Sequence, residues 1–90
     1  MKRVFKYAVP VAGYYTIAKM PHNAEILTVQ MQRGEPFVWA MVDDEDAPKY
    51  QRIFRWRGTG HPVDDAGKYV GTIQLDGGAL IFHLFDGGEK

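Results

Sequence analysis

The 90-residue sequence contains no cysteine and no serine. The first absence excludes disulfide staples, cysteinyl zinc sites and thiol nucleophiles. The second excludes a serine hydrolase and leaves Thr16, Thr28, Thr59 and Thr72 as the aliphatic hydroxyls. Excess charge is lacking too. Eleven Lys and Arg stand against 11 Asp and Glu, a formal net charge of zero, so no long-range field draws the chain to nucleic acid or anionic lipid, and an anion site has to be local. No long hydrophobic run is present: the uncharged stretch Ala8 to Ala18 holds Pro10 and Gly13 and falls well short of the ~20 apolar residues of a membrane helix. A soluble protein in a reducing cytosol is the expectation. No stretch carries the i, i+3, i+4, i+7 pattern over a helical length, so no long helix is expected.

What the sequence has instead is a series of short β-type runs punctuated by 10 Gly and 5 Pro. Val4–Val9 ends at Pro10, and Tyr14–Met20 lies between Gly13 and Pro21. Glu25–Gln32 alternates, with Leu27, Val29 and Met31 on one face and only Ile26 out of phase. Phe37–Val42 is apolar at every position and suits a strand covered on both sides; with Glu25–Gln32 it reads as a hairpin. Tyr50–Arg57 puts Tyr50, Arg52, Phe54 and Trp56 on one face and Gln51, Ile53, Arg55 and Arg57 on the other, cationic face. Lys68–Leu75 and Ala79–Phe85 flank Asp76-Gly77-Gly78 as a closing hairpin, and Asp86–Lys90 reads as a frayed tail. Seven short strands in one domain spanning residues 1–90 predict an all-β fold, an antiparallel sandwich or a small open barrel. So thin a core favours a homo-oligomer that buries an edge strand or the Phe37–Val42 run.

Chemistry is concentrated in Gly58–Lys68, the longest segment without periodicity. In Gly58-Thr59-Gly60-His61-Pro62, two glycines around a hydroxyl residue permit successive backbone N–H groups to form an anion-holding nest. Arg55 and Arg57 leave one strand face just before it, and guanidinium forks match phosphate oxygens. The plainer alternatives are a reversing turn and a solvated arginine face paired with Asp43, Asp44, Glu45 or Asp46. Asp64 and Asp65 suit a turn, although either is also a candidate general base beside His61. His22, His61 and His83 show no metal-ligand spacing, so neither a metal nor another cofactor is expected. His83, inside IFHLF, reads as a structural group bonded to backbone or carboxylate. A Thr59–His61 dyad would lack an orienting third group, and no catalytic residue is assigned. The aromatic-plus-arginine set Trp39, Tyr50, Phe54, Trp56 and Tyr69 is better used to fill a core than to stack bases.

Across nearly its whole length the chain resembles a family of small bacteriophage- and prophage-encoded proteins with no assigned activity. The strings that carry the resemblance are Val4-Phe5-Lys6-Tyr7 with Pro10, Trp39-Ala40-Met41-Val42-Asp43, Gly58-Thr59-Gly60-His61-Pro62, Tyr69-Val70-Gly71-Thr72 and Phe82-His83-Leu84-Phe85. The pattern does not extend to Asp43–Lys49 or to Gly87–Lys90. The resemblance implies a phage-derived cytosolic protein. By analogy of context, the expected function is non-enzymatic capture of a small anionic ligand, such as a nucleotide immune signal, by Arg55, Arg57, Gly58, Thr59, Gly60 and His61. The alternative is a protein–protein or virion-associated module acting through Phe37, Trp39 and Met41.

Overall fold

The computed structural model describes residues 1–90 as two antiparallel sheets. The strands are β1 (Arg3–Ala8), β2 (Tyr15–Pro21), β3 (Glu25–Gln32), β4 (Glu35–Val42), β5 (Lys49–Gly58), β6 (Lys68–Leu75) and β7 (Leu80–Glu89). One sheet has the order β1-β4-β3 and the other β2-β5-β7-β6. The all-β class, the seven strands and the absence of a long helix follow the sequence reading, and the two sheets do not close into one barrel. No helix is long and apolar enough to cross a membrane.

Alternation in the strands builds the space between the sheets. Val38, Ala40 and Val42 of β4 face Phe54 and Trp56 of β5 and Leu84 of β7 in one buried cluster with Val9, Met20, Val29 and Ile73. The β3–β4 hairpin turns on Arg33 (φ 52°) and Gly34 (φ 82°), positive at both central positions as a type I′ turn requires. Where β3 meets β6, Val29 Cγ1 comes so close to Gly71 that a Cβ there would lie 2.9 Å from it.

Three expectations need correction. In β3 the register slips between Ile26 and Thr28, a bulge that leaves Leu27 41% exposed and turns Ile26 to the core instead. In β4, Phe37, Trp39 and Met41 are half-buried rather than covered. What lies over that outer face is the chain's own Lys6, whose Nζ sits 4.7 Å from the Phe37 ring centre and reaches Gln32. The tail does not fray either: β7 runs on to Glu89. Its register against β5 shifts between Arg52 and Phe54, so Gly87-Gly88 forms a bulge in a paired strand. Beyond it Glu89 lies 2.8 Å from His22 and the Lys90 amide donates to the Gln51 carbonyl at 2.9 Å.

Topology also explains the long loop. β5 and β6 both run antiparallel to β7, which lies between them, so they are parallel to each other and need a crossover rather than a tight turn. Residues 59–67 make that crossing over the outer face of β7. Ala66 is fully buried there and Phe85, which points away from the main core, is 7% exposed. At the opposite end the β4–β5 connection is anchored by the Tyr7 hydroxyl donating to Glu45. Burial, with the adjoining carboxylate, pushes the Tyr7 phenol well above its ordinary pKa and keeps it neutral.

Candidate functional site

Phe54 and Trp56 point inward, so Arg55 and Arg57 share the outer face of β5, opposite Phe85 and His83 of β7 respectively. There the two guanidinium groups part. Arg55 Nη1 donates to the Ala66 carbonyl at 3.1 Å and lies over Gly87, where a Cβ would meet it at 2.5 Å. It fastens the crossover to the sheet. Arg57 turns the other way: Nη1 donates to the Tyr14 carbonyl at 3.2 Å and to its own neighbour Trp56 at 2.9 Å. Its Nη2 is 3.6 Å from the Asp65 carboxylate, a side chain 87% exposed. Neither arginine pairs with the Asp43–Asp46 loop, whose Glu45 is engaged by Tyr7 and Lys49.

The Gly58–Pro62 string folds as a turn. The His61 amide donates to the Gly58 carbonyl at 3.1 Å, and Gly60 (φ 88°) supplies the positive φ that such a reversal needs. The bond uses the His61 amide, whereas the expected nest draws on the amides of Gly58 and Gly60. Asp64 and Asp65 occupy the centre of a second turn, closed by the Ala66 amide on the Val63 carbonyl at 3.0 Å.

Thr59 does not meet His61. Its hydroxyl lies 2.8 Å from His83 Nε2, while His83 Nδ1 is 2.9 Å from the Thr72 hydroxyl and 3.4 Å from the Tyr69 hydroxyl. Tyr69 and Thr72 are in turn hydrogen-bonded to each other. Three strings far apart in sequence thus meet around one imidazole on the outer face, and His83 is held by hydroxyls rather than by backbone or carboxylate. The phase of β7 puts His83 outward, but its partners depend on strand order, which alternation does not contain.

His61 borders two adjoining hollows. Its ring packs so close to Gly58 that a Cβ there would stand 3.1 Å from Cε1. On one side lies a shallow, open hollow of about 450 Å³ edged by Tyr14, Arg57, Pro62 and Asp65. On the other is an apolar one of about 260 Å³ between the β1–β2 and β5–β6 connections, walled by Val11, Gly13, Tyr14, Trp56 and Phe82. Of the residues singled out from the sequence, the structure gathers Arg57, Gly58 and His61 here. It places Arg55 under the crossover and turns Thr59 to His83. Tyr14 and Phe82 were missed, since nothing local ties them to a loop well removed from each in sequence. Trp56 was read only as core.

No curated protein matches the chain, and no solved structure does. Residues 1–90 match the profile of a domain of unknown function, DUF7352, and the chain belongs to that family.

Proposed function

We propose that this is a non-enzymatic binding protein that captures a small anionic, phosphorylated ligand in the open hollow beside Arg57 and His61. One observation supports this reading above the others. The Arg57 guanidinium, at the floor of that hollow, is opposed only by an exposed carboxylate at 3.6 Å, beyond hydrogen-bonding distance. An incoming phosphate can displace such a partner, because exposed ion pairs contribute little whereas charge-assisted bonds to a guanidinium contribute about 1.5–3 kcal/mol. His61 adds a second donor at the rim. Arg57 and His61 are the working part of the site; Arg55 supports the crossover.

The resemblance to phage-encoded proteins sets the biological context we propose: a cytosolic protein that withholds a nucleotide signal from host defence. Calorimetric titration with a panel of cyclic and linear nucleotides tests it. At least one should bind, and Arg57→Met should weaken that binding by about 10- to 100-fold, the value of one charge-assisted contact. No heat from any nucleotide would overturn the reading.

A second reading rests on the half-buried outer row Phe37, Trp39 and Met41, a surface where a second copy or a protein partner would seat. Light scattering at micromolar concentration decides the self-association form of it, since a monomer there removes the second copy as occupant.

A further inference from the structure

We infer that the free edge of β1 is the interface for a second copy of this chain: two β1 strands pair antiparallel across a twofold axis and join their three-stranded sheets into one. This is independent of the ligand reading and uses a different surface from the outer row Phe37, Trp39 and Met41. Within the chain β1 pairs only with β4. The Val9 amide donates to the Pro36 carbonyl at 3.1 Å, and bonding alternates along an antiparallel ladder. Arg3, Phe5 and Tyr7 therefore bond to β4, whereas Val4, Lys6 and Ala8 turn their N–H and C=O groups outward. Edges that stay single are normally guarded by bulges, proline or an outstretched lysine. β3 and β6 are each bulged and meet at Val29 and Gly71; β2 carries an exposed Lys19 and ends on Pro21. β1 has neither bulge nor proline. Its Lys6 is drawn back across β4, over the Phe37 ring at 4.7 Å, to Gln32 of β3. That leaves the edge unguarded, with Val4 52% exposed.

Charge selects the register. Side chains directly opposite in an antiparallel pair share a face, and like charges there are destabilising. A twofold axis at Lys6 opposes the two Lys6 side chains, and one at Val4 opposes Lys2 to Lys6. An axis at Phe5 avoids both. It places Val4 of each copy opposite Lys6 of the other, joined through the outward backbone groups. The two Phe5 side chains then form a non-hydrogen-bonded pair, where side chains lie closest and aromatic pairs are favourable. The same register sets Arg3 of one copy opposite Tyr7 of the other, whose hydroxyl holds Glu45. Within its own chain Arg3 has no such partner. It is exposed, takes part in none of the four ion pairs, and its one side-chain bond runs to Met1 Sδ at 3.8 Å. A single edge thus supplies both an unpaired guanidinium and, beside Tyr7, a carboxylate. Such a self-complementary match fits a second copy of the same chain.

The absence of cysteine makes single-cysteine variants clean reporters of this register. Phe5→Cys, Val4→Cys and Lys6→Cys would be oxidised at equal concentration and read on non-reducing gels, beside light scattering of the wild-type protein and of Val4→Pro. Val4 turns its N–H away from β4, so the proline deletes an outward donor and spares the β1–β4 ladder, which far-UV circular dichroism checks. The inference predicts a wild-type dimer. It predicts the fastest disulfide formation at Phe5→Cys, where facing Cα atoms stand ~4.5 Å apart, within disulfide range. Val4→Pro should weaken the dimer roughly 10- to 100-fold, the value of its two symmetry-related hydrogen bonds. A wild-type monomer up to high micromolar concentration would overturn the inference. A dimer indifferent to Val4→Pro would overturn the edge and favour the outer row of β4. Faster cross-linking at Val4→Cys or Lys6→Cys would overturn the register. Should Phe5→Cys or Val4→Pro not fold, Arg3→Glu decides in its place: it alters an exposed side chain and should weaken the dimer about tenfold, and an undiminished dimer would overturn the match of Arg3 with Glu45.

Discussion

The two ends of β5 carry arginines in opposite circumstances. At the start of the strand, Arg52 reaches the Asp86 carboxylate with Nε at 3.1 Å and Nη2 at 2.6 Å and donates Nη1 to the Ala24 carbonyl at 2.7 Å. These side chains are 14% and 9% exposed. At the far end, Arg57 donates to two carbonyls and merely approaches an exposed carboxylate. Arg52 is a two-pronged clamp tying β5 to β7 and to the β2–β3 connection, with its carboxylate as fully matched as a guanidinium allows. Arg57 is anchored but retains an incompletely matched edge. The difference separates a charge that holds the fold from one that remains available to a ligand, and the alternation of β5 already places the two arginines on opposite faces.

The largest expected effect lies at the clamp. Arg52→Met leaves Asp86 buried without its partner, and the loss should be about 3 kcal/mol in urea denaturation, at the lower end for a broken buried pair because both groups keep some solvent. Arg57→Met should cost less than about 1 kcal/mol in the same assay. Comparable losses at the two positions would erase the distinction.

A smaller effect is expected beside the clamp. Gly87→Ala would put a Cβ 2.5 Å from Arg55 Nη1 and 2.7 Å from Ile53 Cγ2. Forcing those atoms apart should destabilise the chain by about 1–3 kcal/mol. Gly88, with open space where a Cβ would go but a φ of 88°, should cost only about 1 kcal/mol when changed to Ala. Equal stability of Gly87→Ala and the wild type would mean that β7 does not hold its bulge as described.

Much of the fold was legible in the residues. Alternation located every strand within a few residues, and the period of β5 put Tyr50, Arg52, Phe54 and Trp56 on one face, of which Phe54 and Trp56 are buried while Tyr50, at the strand's start, stays 48% exposed. What was hidden was non-local. An extra residue at Leu27 changed which neighbour met the core, because a bulge depends on the partner strand and not on the run itself. Gly87-Gly88 looked like an ending because glycine weakens a lone strand, and its paired role emerges only once Asp86 and Glu89 find Arg52 and His22. The same holds for the site. Arg57 and His61 could be named from the Gly58–Pro62 string, whereas Tyr14 and Phe82 join it through strand order. Two arginines two residues apart share a face, yet their side chains diverge because the crossover offers a carbonyl to one of them.

Asp65→Asn isolates the central claim with the least disturbance to the fold. The substitution removes the one carboxylate opposing Arg57 while touching an exposed turn, so stability should change by less than about 0.5 kcal/mol. Titration of the best-binding nucleotide into Asp65→Asn and the wild-type protein at one salt concentration is the direct measurement. The account predicts severalfold tighter binding to Asp65→Asn, since the anion no longer displaces a competitor; unchanged or weaker binding would contradict it.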